Sequence, residues 1–162
     1  MKFLKALLTV ALLLGIFLPR QVLAHCEIPC GIYDDQLRIS LLEENITTIE
    51  KSMQEINSLS GQTPLNYNQI VRWVENKEEH ADNIRQIVTQ YFLAQRVKPA
   101  EKKDKEAYEK YLNQLTLLHQ MIVYAMKAKQ TTDLANVEKM RSLVLEFKSA
   151  YSGLEGTPPE HK

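Results

Sequence analysis

Glycine and proline are scarce in this chain, five and six in 162 residues. Set against abundant Leu, Ile, Val, Ala, Glu, Lys and Gln, that shortage points to helix rather than sheet. Charge of one sign is also missing. Lys plus Arg and Asp plus Glu stand at 20 each, so nothing in the balance calls for nucleic acid or an acidic substrate. There is no internal repeat and no low-complexity tract, and the length suits one domain with one core. Cysteine is down to two residues, both in one short segment, and there is a single long apolar run.

That run, Ala6 to Leu18, is about 13 residues, short of the roughly 20 that span a bilayer as a helix. Lys2 and Lys5 precede it, Pro19 breaks it, and Val22-Leu23-Ala24 offers small residues where a signal peptidase reads. Residues 1–24 therefore read as a cleaved leader, with no stable membrane anchor left after cleavage and an exported mature chain, periplasmic or secreted. The alternative is a cytoplasmic protein after leader removal. Cleavage removes three basic residues and leaves 17 against 20 acidic ones, a mildly acidic mature chain.

Past the leader, four amphipathic stretches follow. Asp34 and Asp35 offer N-terminal caps. Leu42, Ile46, Ile49, Met53 and Ile56 then alternate spacings of four and three, the stripe of a helix that ends near Gly61 and Pro64. A second helix starts near Asn66 or Asn68, carries Ile70, Val74, Ala81, Ile84, Val88 and Tyr91, and closes around Val97. Its polar face includes Lys77-Glu78-Glu79-His80. The third begins within Ala100 to Glu106, with an inward face of Tyr108, Leu112, Leu115, Leu118, Ile122 and Ala125 or Met126. Thr131, Thr132 and Asp133 cap a fourth, with Val137, Met140, Val144, Phe147 and Tyr151 inside. The expected architecture is all-α: an antiparallel up-down four-helix bundle over 35–152, preceded by a short segment at 25–34 and followed by a flexible tail at 153–162.

Function has to come from a site, and one segment concentrates the chemistry. His25-Cys26-Glu27-Ile28-Pro29-Cys30-Gly31-Ile32-Tyr33-Asp34 holds both cysteines and begins where the leader ends. In an exported chain the two cysteines could close as a small disulfide. Zinc is served poorly: it wants four ligands in a tetrahedron, and the rest of the chain has no cysteine and only His80, His119 and His161. Cleavage after Ala24 opens a third possibility. The freed amine of His25, the Cys26 amide nitrogen and the Cys26 sulfur then form two fused five-membered chelate rings. Cys30 returns through a turn at Pro29-Gly31 to the fourth corner, and the His25 imidazole approaches axially. A planar set of two nitrogens and two thiolates suits Ni(II) or Cu(II), and not zinc, calcium or magnesium. Such donors stabilise a higher oxidation state, which makes the site a redox site.

The same ten residues resemble the His-Cys-x-x-Pro-Cys-Gly-x-Tyr-Asp signature of the nickel superoxide dismutases, the family's nickel hook. The resemblance continues through Asp34-Asp35-Gln36, Asn76-Lys77-Glu78-Glu79-His80 and Tyr91-Phe92. It implies a four-helix protomer assembled as a homohexamer. It also implies one nickel ion per chain, held by the His25 amine and imidazole, the Cys26 amide and sulfur, and the Cys30 sulfur. Superoxide is then the substrate: Ni(III) oxidises one anion to dioxygen, and Ni(II) reduces a second to hydrogen peroxide with two protons. Tyr33 matches the family tyrosine over the vacant side of the metal, where its hydroxyl orders water or the incoming anion.

Tyr91 is similar to a second tyrosine lining that approach, and is equally an ordinary stripe position. His80 lies near where the family sets a polar side chain against a neighbouring subunit's hook, although a lone histidine beside acidic residues also reads as solvated. One departure stands out. Where family members carry a glutamate that orients the terminal imidazole, this chain has Ser40, and the orienting partner of His25 is left unnamed. The competing reading is an exported, non-enzymatic nickel or copper binder on the same bundle.

Overall fold

The computed structural model describes residues 34–152. Those residues are helical, with helices α1 (Asp35–Ser60), α2 (Tyr67–Gln86), α3 (Lys105–Gln130) and α4 (Ala135–Ser152), and a π-helical segment, Ile87–Arg96, that continues α2. Each helix starts at a side chain suited to the free amides of a first turn. Asp34 Oδ1 accepts from the Gln36 and Leu37 amides at 2.8 and 3.2 Å. Asn66 accepts from the Gln69 amide at 3.2 Å, Asp104 from Ala107 at 3.1 Å and Asp133 from Ala135 at 3.0 Å.

α1 has 26 residues, a length of about 39 Å at 1.5 Å per residue. The short connection Gly61–Asn66 cannot carry the chain back to the start of such a helix, so α2 must run antiparallel to α1. The same holds for the short link from Thr131 to Leu134 between α3 and α4. α1 packs on α2, α2 on α3, α3 on α4, and α4 closes the ring on α1. This is the up-down four-helix bundle expected from the periodicity.

The stripes of α1 and α4 are where the spacing put them. Leu42, Ile46, Ile49 and Met53 face Val137, Met140, Leu143, Val144 and Phe147 in one core. The third stripe is corrected. Leu112 is 43% exposed, and Leu115 and Ile122 are half-buried, whereas Gln114, Leu117, Leu118, Met121, Ala125 and Ala128 are buried. α3 carries leucine, isoleucine or valine on several faces, so more than one stripe fits its spacing. In the N-terminal half of α2, Ile70 and Val74 are only half-buried.

Lys77, expected on the polar face of α2, is also corrected: it is 3% exposed. Its ammonium donates to the carbonyls of Ala128, Lys129 and Thr131 at 2.7, 2.6 and 3.3 Å. A lysine with three donors thus satisfies carbonyls that the end of α3 leaves unpaired, and its charge suits the negative pole of that helix. A polar track also crosses the α1–α2 interface. Ser52 accepts from Asn76 Nδ2 at 2.9 Å, and Asn45 faces His80.

Candidate metal centre

His25, Cys26, Cys30 and Tyr33 lie outside the described residues, as do the leader and the tail. The structure shows where the segment carrying them joins the bundle. Asp34 caps α1, and Asp35, its first residue, sits over an aromatic cluster built from the π-helical segment and α4. Phe92 meets Phe147, Tyr151 and Tyr91 edge-on, with ring centroids 5.0, 5.7 and 5.1 Å away. Such pairs add about 0.5–1.5 kcal/mol each beyond area burial.

The π-helical turns set this arrangement. The Val97 amide donates to the carbonyl of Phe92, five residues back, at 2.8 Å. π-helical turns are rare and concentrate at functional sites. Here the segment buries the adjacent Tyr91 and Phe92 together and brings Arg96 back over Tyr91, the guanidinium carbon 5.1 Å from the ring centroid. The Arg38 guanidinium approaches the same ring to 5.2 Å, within the range of cation–π attraction.

Asp35 binds three donors from two distant elements. Its Oδ1 accepts from the Tyr91 hydroxyl and from Arg96 Nε, the latter at 2.7 Å. Its Oδ2 accepts from the Tyr151 hydroxyl at 2.7 Å. The Tyr91 oxygen in turn accepts from Arg96 Nε at 3.1 Å. A phenol has one proton to give, and that of Tyr91 is directed to Asp35. Burial, then the Asp35 carboxylate, pushes the Tyr91 phenol up to about 12, with Arg96 pulling the other way. The same two causes raise Tyr151 further. Tyr91 is 5% exposed, as its stripe position implies, and its hydroxyl is nonetheless paired with Asp35.

His80 is not simply solvated. It is half-buried, and its Nδ1 lies 2.7 Å from Asn45 Oδ1. Asn45 Nδ2 donates to the Leu41 carbonyl at 2.6 Å, which leaves its oxygen to accept from His80. Nδ1 is therefore the donor in this pair. Ser40 is exposed on α1.

Sequence reasoning took Asp35 as a helix cap and Tyr151 as a stripe residue, and did not single out Arg96. Arg96 and Tyr151 lie 61 and 116 residues from Asp35, beyond any local pattern.

Among the described residues no three His, Cys, Asp or Glu side chains come together to hold a metal ion. The chain's two thiols both precede Asp34. An amine, an amide and two thiolates form a donor set that fits nickel.

A family model described as nickel-containing superoxide dismutase matches residues 20–154. No curated protein and no solved structure matches the chain. With the whole bundle and the cysteine segment inside that match, the chain belongs to the nickel-containing superoxide dismutase family.

Proposed function

We propose that the nickel of this superoxide dismutase is held by His25, Cys26 and Cys30, at a terminus freed by cleavage after Ala24. The activity and the metal follow from the family, which sets aside the non-enzymatic binder. The observation that carries the ligand assignment is the distribution of donors. The described helices bring no three His, Cys, Asp or Glu side chains together to hold a metal, while ten consecutive residues contain both thiols of the chain.

Bound nickel would supply the one-electron chemistry that superoxide disproportionation needs. The residues supply the rest. The His25 amine and imidazole, the Cys26 amide and sulfur, and the Cys30 sulfur would hold the metal, and the amine, the amide and the Cys26 sulfur are kept adjacent by covalent connectivity. Tyr33 offers a hydroxyl to water or to the anion and limits access by larger molecules.

The apolar run ahead of Ala24 supports export, periplasmic or secreted. Superoxide crosses membranes poorly, so a dismutase is useful in the compartment where the anion arises. Assembly as a homohexamer is what the family resemblance implies, and Leu65, Tyr67 and Val71 are apolar side chains exposed on one protomer.

The test is the mature protein isolated from an exported fraction. Its first residue should be His25, with one nickel per chain, and nickel and dismutation should both be lost in Cys26→Ser and in Cys30→Ser. A mature chain with any residue ahead of His25, or a single cysteine variant that keeps nickel and turnover, refutes the assignment. Light scattering of the same preparation measures the assembly.

A further inference from the structure

The geometry points to Asp35 as a positioning residue for the metal centre: by binding Tyr91, Tyr151 and Arg96 together, it fixes the start of α1, which follows the ligand-bearing segment in the chain. The inference rests on the reading that His25, Cys26 and Cys30 hold the nickel.

Three observations carry it. Asp35 lies five residues after Cys30 and two after Tyr33, so its backbone is the nearest part of the bundle to the ligands along the chain. Its carboxylate accepts from two elements that are not its sequence neighbours, the π-helical segment through Tyr91 and Arg96 and the last turn of α4 through Tyr151. Those partners are themselves immobilised, because Tyr91 and Tyr151 are buried against Phe92. A helix start held only by its own cap can fray. This one is held from two further sides.

The amine, amide and first thiolate are kept together by covalent bonds whatever happens downstream. Cys30 and Tyr33 lie outside those rings and stand five and two residues before Asp35 along the chain. Loosening Asp35 should therefore spare the first chelate rings and weaken the closing contact, which shows as faster metal release and an altered ligand field.

Asparagine at this position is nearly the same size. It removes the charge that pairs with Arg96, and it places an NH2 where one hydroxyl must donate. In nickel-loaded Asp35→Asn with wild-type helix content by circular dichroism, transfer of nickel to a competing chelator should be at least tenfold faster. The visible ligand-field bands of the Ni(II) form should shift, and Asp35→Glu should recover part of both. A release rate within twofold of wild type with unchanged bands overturns the proposal. If Asp35→Asn does not fold, Tyr151→Phe, which removes one donor and keeps the charge, takes its place. It should release nickel at least threefold faster, and wild-type release would overturn the proposal equally. Cys26→Ser in parallel separates the two levels. Nickel retained there refutes the ligand assignment, whereas nickel lost there with wild-type behaviour in Asp35→Asn refutes only the role of Asp35.

Discussion

Tyr151 donates its hydroxyl proton to Asp35 Oδ2 at 2.7 Å, tying the last turn of the bundle to the first across 116 residues of sequence. The bond is part-buried and has a charged acceptor, a class worth about 1.5–3 kcal/mol. Tyr151→Phe keeps the ring on Phe92 and Phe147 and removes only the hydroxyl. Urea denaturation should show a loss of about 1–2 kcal/mol with an unchanged m-value.

Alkaline pH should act through the same group. Folding raises the Tyr91 phenol from 10.0 to about 12 and moves Tyr151 in the same direction. Between the unfolded and folded values, the folded protein binds more protons than the unfolded chain. Stability from these phenols is therefore complete below pH 10 and falls as the pH rises toward 12, by at most about 1.4 kcal/mol per pH unit for each group. Denaturation midpoints should fall more steeply over pH 10–11.5 in wild type than in the Tyr91→Phe, Tyr151→Phe double variant. Parallel curves would show that the phenols do not titrate on unfolding.

Lys77 makes a prediction of opposite sign. Burial lowers its pKa below 10.5, with Glu78 opposing and Lys129 adding, so the folded protein releases this proton before the unfolded chain does. Its contribution to stability should rise as the pH climbs through the window just below 10.5. The difference in unfolding free energy between wild type and Lys77→Met isolates it from the tyrosines. At neutral pH, Lys77→Met should still cost about 1–3 kcal/mol, because it leaves buried carbonyls at the end of α3 unpaired.

Phe92 joins the core to the cluster beneath Asp35. It is fully buried and contacts three aromatic rings, so Phe92→Ala should cost about 3–5 kcal/mol. Thermal unfolding of the metal-free protein measures this directly. A cost below 1 kcal/mol would mean that the surrounding rings collapse into the space.

Much of the fold is legible in the sequence because caps and stripes are local. Asp34, Asn66, Asp104 and Asp133 each sit just ahead of a helix, and the four-three spacing of α1 and α4 is unambiguous. α3 is harder, since Leu112, Leu115, Leu117 and Leu118 allow competing faces, and only packing selects the one with Leu117 and Met121. Lys77 misleads for a different reason: a charged residue on a helix normally faces water, and the carbonyls that draw it inward belong to residues 51 to 54 positions away. The π-helical turns have no composition signal at all. The proposed ligands stand out as a motif, because fused chelate rings are a property of adjacent residues. Asp35 does not, because its three partners meet only after the bundle closes.

The i→i+5 hydrogen bonding of Ile87–Arg96 makes each turn wider than an α-turn. In a regular helix each position turns by about 100°, so deleting a single residue such as Ala94 would let the segment rewind to ordinary α geometry. The local backbone would tolerate that shortening better than most helices tolerate a frameshift in register. Arg96 would swing away from the Asp35 carboxylate, and a change that tidies the helix would undo the junction it was bent to build.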